Sequence, residues 1–200
     1  DVFQDFFASP TAPAGAPIVT FVCTGNICRS PLAEKLLRVR LSERTVNDIL
    51  VASAGLHAVV GASMEPEPAA VVIRDGGDPA HAASQVSEDL LRSSSLILTM
   101  TRDQRAELSQ EFPFALKRTF TVVEFVRILD ELAHQVPGPD EPAGRSVFDT
   151  AMDASRYRGM ISIGVDDDVE DPYRRSLETH QRVANRISGL VSALAVRLVP

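Results

Sequence analysis

The 200-residue sequence is poor in cysteine and aromatics, with two cysteines, two tyrosines and no tryptophan. Cys23 and Cys28 have no second pair, so neither a disulfide framework nor a cysteine-rich zinc site can be written. Reduced thiols in a cytoplasm are the expected state. Basic charge is scarce as well: 20 Lys+Arg against 27 Asp+Glu leave a formal net charge of −7. That removes the field needed to hold nucleic acid or an anionic bilayer non-specifically. Long apolar runs are missing. The nearest, Gly189 to Val199, contains Ser192 and Arg197 and falls short of the roughly 18 residues that suggest a membrane span. Residues 1–17 lack the basic start and continuous apolar centre of a secretory signal and begin without Met, so they read as a disordered or appended tail outside the fold. His57, His134 and His180 show no ligand spacing, which predicts no metal and no cofactor.

What is present suits an ordinary folded chain: 44% hydrophobic and 24% charged residues, at a length that buries roughly 70% of the unfolded surface. Apolar runs alternate with helical patterns from residue 18 to 200, which predicts one α/β domain built on a parallel sheet. The strands are expected at Ile18–Cys23, Ile49–Ala54, Ser95–Met100 and Thr119–Val123. Helices follow the first strand from Ser30 and Pro31, and are expected at Pro66–Arg74, Ser87–Arg92 and Arg102–Gln110. Val122, Phe125, Val126, Leu129 and Leu132 form one amphipathic face. A last helix starts at Ser176 and repeats Val183, Ile187, Leu190, Val191 and Leu194 at spacings of three and four. The stretch from Gln135 to Asp168 opens with four Pro or Gly in eight residues and sustains no period, so it reads as a long surface loop.

Chemistry concentrates after the first strand, in Cys23-Thr24-Gly25-Asn26-Ile27-Cys28-Arg29-Ser30-Pro31. A short loop between strand and helix turns its backbone N–H groups inward and adds the positive helix end, which suits an oxyanion. Gly25 and Asn26 are the residues that tolerate unusual dihedrals. Arg29 can grip two phosphate oxygens at once. The same groups favour a thiolate at Cys23, making it the candidate nucleophile. Ser30 either hydrogen-bonds that thiolate or caps the helix. Cys28 either captures an oxidised Cys23 or packs beneath the loop.

This nonapeptide, directly behind an apolar strand, resembles the loop of the low-molecular-weight protein tyrosine phosphatases, bacterial type. Ser53-Ala54-Gly55-Leu56, Ile97-Leu98-Thr99-Met100 and Asp171-Pro172-Tyr173 extend the resemblance from Ile18 to the C-terminus. It implies a four-stranded parallel sheet with helices on both faces and the phosphate loop between the first strand and first helix. It also implies hydrolysis of protein phosphotyrosine through a cysteinyl-phosphate, without a cofactor. Cys23, Arg29 and Asp171 are then catalytic, Asp171 as the general acid. Thr24, Gly25, Asn26, Ile27, Cys28, Ser30 and Tyr173 bind substrate, Tyr173 as an aromatic lip. His81 braces Asn26. Asp167, Asp168 and Glu170 either crowd Asp171 with like charge or form a solvated acidic loop.

Departures are also visible. Leu56, His57, Ala58, Val59 and Val60 stand where relatives often carry an aromatic wall, and Arg174 and Arg175 follow the tyrosine in place of a small residue. Relatives resembling phosphoarginine phosphatases carry Thr at the position of Ile27, whereas phosphotyrosine-directed ones carry Ile. The implied partners are phosphotyrosine proteins, including bacterial tyrosine kinases of polysaccharide export, with inorganic phosphate as product or inhibitor. The alternatives are a phosphoarginine phosphatase, a thiol-dependent arsenate reductase, and a phosphate- or phosphoprotein-binding module without turnover. The reductase relay needs further cysteines, and none follows Cys28.

Overall fold

The computed structural model describes residues 14–135, 146–160 and 166–198. Strand β1 (Ile18–Cys23) pairs in parallel with β2 (Leu50–Gly55) and with β3 (Leu96–Thr99), and β3 pairs with β4 (Thr119–Thr121), giving the order β2-β1-β3-β4. Parallel neighbours need crossover connections. Helix α1 (Arg29–Glu43) links β1 to β2, α2 (Pro66–Arg74) and α3 (Glu88–Ser93) lie between β2 and β3, and α4 (Arg102–Glu111) precedes a 3-10 turn at Pro113–Arg118 before β4. Helices α5 (Val122–Gln135), α6 (Val147–Tyr157) and α7 (Leu177–Arg197) complete the described chain, with a 3-10 turn at Arg158–Met160 after α6.

Alternation along the strands divides the interior. Val19, Phe21 and Cys23 of β1 join Leu96, Leu98 and Phe120 in a large cluster closed by α1, α5, α6 and α7. Val22 and Ile97 point the other way, into a smaller cluster with Leu91 of α3 and Leu108 of α4. Both sheet faces are therefore covered, which is why the strands read as continuous apolar runs.

Two sequence-based expectations need correction. The predicted loop over residues 135–168 contains α6: Ser146 accepts a hydrogen bond from the Asp149 amide as N-cap, and Val147, Phe148, Ala151 and Ala154 are buried. Its apolar face is half alanine, which blurs the period. The remainder of that stretch, 136–145 and 161–165, lies outside the described residues, as do residues 1–13 of the predicted tail. The first helix begins at Arg29, with Cys28 at its N-cap position and no side-chain cap. Among the described residues no helix is long and apolar enough to cross a membrane.

The Phe120 and Phe125 rings, both fully buried, pack 4.9 Å apart between β4 and α5. Phe125→Ala should lower the unfolding free energy by about 3–5 kcal/mol through lost burial and a residual cavity. Urea denaturation measures it, and a loss below about 1 kcal/mol would show that this contact does not anchor α5.

Candidate active site

The chain leaves β1 toward β2 on one side, while β3 lies on the other. The carboxyl end of β1 is thus a switch point, where open parallel sheets form a crevice. Cys23 ends β1 there, buried beneath the loop that leads into α1.

The direction of that loop's peptide groups is set by bonds on its outer side. The carbonyls of Cys23, Thr24 and Gly25 accept from the amides of Leu56, His57 and Val59. The Asn26 carbonyl lies 2.7 Å from His81 Nε2, and those of Ile27 and Cys28 accept from the Glu65 and Leu32 amides. With every carbonyl from 23 to 28 engaged outward, the amides of residues 24–29 turn inward, and among the described residues neither these nor the Ser30 amide in the first turn of α1 has a protein acceptor. An inward row of amides at a helix N-terminus binds anions.

Asn26 takes the left-handed conformation the turn requires, with φ 56°. Gly25 does not, and a Cβ on it would meet Ile27 at an ordinary 3.5 Å, so of the two residues expected to supply unusual dihedrals only Asn26 does. The glycine that the loop needs is Gly55: a Cβ there would lie 2.5 Å from the Thr24 carbonyl oxygen, and its absence lets β2 close against the loop.

Asn26 is fully buried and its side chain is saturated. Its Nδ2 donates to Ser30 Oγ and Ser53 Oγ, both at 2.9 Å, and its Oδ1 accepts from the Ser84 amide. Ser30 lies inside α1, so capping is not its role; its Oγ stands 2.9 Å from Cys23 Sγ and 3.4 Å from the Ala54 carbonyl. A negative sulfur draws the hydroxyl proton toward itself. Ser53 donates to Glu34 Oε2 at 2.5 Å, and Arg38 pairs with Glu34 at 2.9 Å. A continuous polar chain thus runs from a buried carboxylate to the sulfur. Sequence reasoning missed Glu34 and Ser53 as site residues. The available signal was spacing, since Ser30 and Glu34 are four apart on one helix face.

Thr24 faces sideways: its Oγ1 accepts from Gln104 Nε2 at 3.1 Å. Gln104, also missed, receives the Met100 and Thr101 amides on its Oε1, tying the loop to the start of α4. Ile27 and Cys28 are buried in a small apolar cluster with Ala83, against which Ala62 packs. Both cysteines are free. Burial first, then the negative neighbours Glu65, Cys23 and Asp171, push the Cys28 thiol up to about 12 against the opposing pull of Arg29. In the reduced protein Cys28 is a neutral packed group.

Arg29 is 4% exposed and joins the loop to a distant segment. Its Nη2 pairs with Asp171 at 2.8 Å and its Nη1 donates to the Val169 carbonyl at 3.0 Å. The Nε is buried without a protein partner among the described residues. Val169 is anchored in turn by its amide bond to the Met100 carbonyl at the end of β3. Asp171 is half exposed, and its Oδ1 accepts from the Tyr173 amide at 3.1 Å. Tyr173 is 42% exposed beside it.

The acidic run around Asp171 is paired with arginines, and apart from the buried Asp167 its carboxylates stay open to solvent. Asp166 pairs with Arg186, Asp167 with Arg127, Asp168 with Arg102 and Glu170 with Arg182. Arg182 first, and Arg175 to a lesser degree, hold the Glu170 carboxyl below its ordinary range. The geometry therefore brings Cys23, the inward amides, Arg29, Ser30 and Asp171 together, with Tyr173 beside the acid. Among the described residues no group of three or more His, Cys, Asp and Glu could hold a metal ion.

A family model described as low molecular weight phosphotyrosine protein phosphatase matches residues 18–158. The chain is 36% identical over 103 residues to the low molecular weight protein-tyrosine-phosphatase Ptp of Acinetobacter johnsonii, covering 51% of this chain and 69% of that one. It is 33% identical over 138 residues to a protein-arginine-phosphatase of Geobacillus stearothermophilus, covering 68% and 90%. Among solved structures, a YwlE mutant from Bacillus subtilis superposes with a TM-score of 0.68 at 25% identity, over 91% of this chain and 98% of that one. The low molecular weight protein tyrosine phosphatase from T. tengcongensis gives 0.66 at 28% identity, over 89% and 97%. Matched from β1 to the turn after α6, the chain belongs to the low-molecular-weight phosphotyrosine protein phosphatase family.

Proposed function

We propose that the chain hydrolyses phosphotyrosine in proteins, with Cys23 as nucleophile. The observation that carries this reading is the convergence of Cys23 Sγ, the unpartnered amides of residues 24–30 and the Arg29–Asp171 pair on one crevice. The Cys23 thiolate attacks phosphorus while the loop amides and Arg29 hold the equatorial oxygens. The bond from phosphorus to the phenolic oxygen breaks, and Asp171, entering as the carboxylic acid, gives that oxygen its proton. Water then attacks the phosphocysteine, Asp171 takes the water proton, the P–S bond breaks and phosphate leaves. Inorganic phosphate fits the same cradle and acts as product and inhibitor. No step calls for a metal, because the amides and Arg29 supply the positive field. Kinases that phosphorylate themselves on tyrosine, such as those of bacterial polysaccharide export, belong to the proposed substrate class.

Phosphoarginine is the second reading, favoured by the arginine phosphatase relative matched over 90% of its length. Ile27 argues for tyrosine: its side chain is packed in an apolar cluster, and an apolar flank suits a phenyl ring better than a guanidinium that must be desolvated.

Cys23→Ser should abolish turnover of para-nitrophenyl phosphate while retaining phosphate binding; substantial residual turnover removes Cys23 from the nucleophile role. Asp171→Asn should lower kcat by about 10²-fold or more on phenyl phosphates and far less on esters with excellent leaving groups. An equal loss on both classes would rule out the acid role. For matched peptides, kcat/KM should favour phosphotyrosine over phosphoarginine by about 10²-fold, and Ile27→Thr should narrow the gap. A native preference for phosphoarginine reverses the substrate assignment.

A further inference from the structure

Arg174 and Arg175 follow the acid segment directly, and the mechanism uses neither. Arg174 has φ 57°, a left-handed conformation that a glycine adopts freely and a long side chain does not. The turn is closed by the bond from the Arg175 amide to the Pro172 carbonyl at 2.9 Å. The Arg174 guanidinium lies 5.1 Å from the centre of the Tyr173 ring. Both residues are exposed.

Neither commits its charge to an ion pair, and Arg175 exerts only a longer-range pull on Glu170, behind that of Arg182. The five carboxylates from 166 to 171 each have another arginine, namely Arg186, Arg127, Arg102, Arg182 and Arg29. Among the described residues neither Arg174 nor Arg175 lies within ion-pair distance of a carboxylate. Glu178, on the first turn of α7, is the nearest acid on the C-terminal side and makes no ion pair with either. A chain of net charge −7 therefore presents two cations outside any ion pair among the described residues at the lip of its site, beside the proposed acid and the exposed tyrosine.

We propose that Arg174 and Arg175 select phosphotyrosine peptides with acidic residues flanking the phosphotyrosine. The inference rests on the phosphatase reading of the same site and adds to it the composition of the substrate. An extended peptide advances roughly 3.3–3.6 Å per residue, and an arginine side chain reaches about two such steps. Acidic side chains within two or three positions of the phosphotyrosine therefore fall within reach of the pair once the phosphate occupies the loop. The local cations reverse, for this approach only, the repulsion that the net negative charge exerts on an acidic partner. Stacking on Tyr173 holds Arg174 at the lip.

Matched phosphotyrosine peptides carrying Glu, Ala or Lys at the two positions on either side of the tyrosine provide the test. They are compared in kcat/KM on the native chain and, by fluorescence polarisation, in binding to Cys23→Ser. The Glu peptide should exceed the Lys peptide by about 5- to 30-fold at low salt, the size expected of two exposed charge contacts, and the ratio should shrink as salt screens them. In the double variant Arg174→Gly/Arg175→Gln, which suits the left-handed backbone, the ratio should fall toward one; in Arg174→Glu/Arg175→Glu it should invert. Equal handling of the three peptides by the native chain, or a ratio that survives the neutral double variant, overturns the inference. Loss of all turnover with the binding preference intact would defeat the phosphatase reading and leave this one standing.

Discussion

Each carbonyl from Cys23 to Cys28 is bonded on the outer side of its loop, and a peptide group that turns its oxygen outward must turn its N–H inward. The site depends on that rule, and much of the surrounding fold serves it. The donors come from the segment after β2, from His81, from the residue that precedes α2 and from the first turn of α1. Parallel order brings them within reach: β2 lies beside β1 in register from Ile18–Leu50 to Cys23–Gly55, so the chain leaving β2 runs alongside the chain leaving β1. Gly55 permits the close approach.

Electrostatics follow from the same arrangement. A row of inward amides and a helix N-terminus form a concentrated positive region with no charged side chain of its own apart from Arg29. The protein tethers that region from beneath through a chain of neutral groups: Ser30, Asn26 and Ser53 stand between the sulfur and the Glu34 carboxylate. Glu34 in turn has Arg38 and Lys35 as counter-charges. The negative charge is thus spent at the far end of the network, where it orients hydroxyl and amide groups without opposing an anion in the loop.

Much of this was legible in the sequence, and the boundary follows a physical line. The strand Ile18–Cys23, helix Pro66–Arg74 and the loop between Cys23 and Pro31 are local: propensity, period and turn chemistry sit within a few residues of one another. Helix α6 escaped because Ala151 and Ala154 carry much of its buried face, and alanine does not mark a period. Glu34 escaped for another reason. Read alone it is an ordinary helix carboxylate, and its meaning depends on Ser53, which lies 19 residues away and meets it only because β2 pairs beside β1. The arginine partners of the acidic segment lie on α4, α5, α7 and α1, so an acidic run in sequence became a neutralised one in space.

Arg29 connects these two halves of the site. One amino group holds Asp171, the other holds the carbonyl of Val169, and Nε is left without a protein partner inside the fold. A buried guanidinium with an unsatisfied N–H is costly, and an oxyanion in the loop is the group whose charge and reach match that donor. An anion bound there would lie against the same guanidinium as Asp171, so one cation serves both the loop and the segment that carries Asp171. Asp171 is the half-exposed member of its pair with the buried Arg29. The contact that ties the 169–171 segment to the loop is thereby also the contact that sets where the Asp171 carboxylate stands relative to a group held by Arg29.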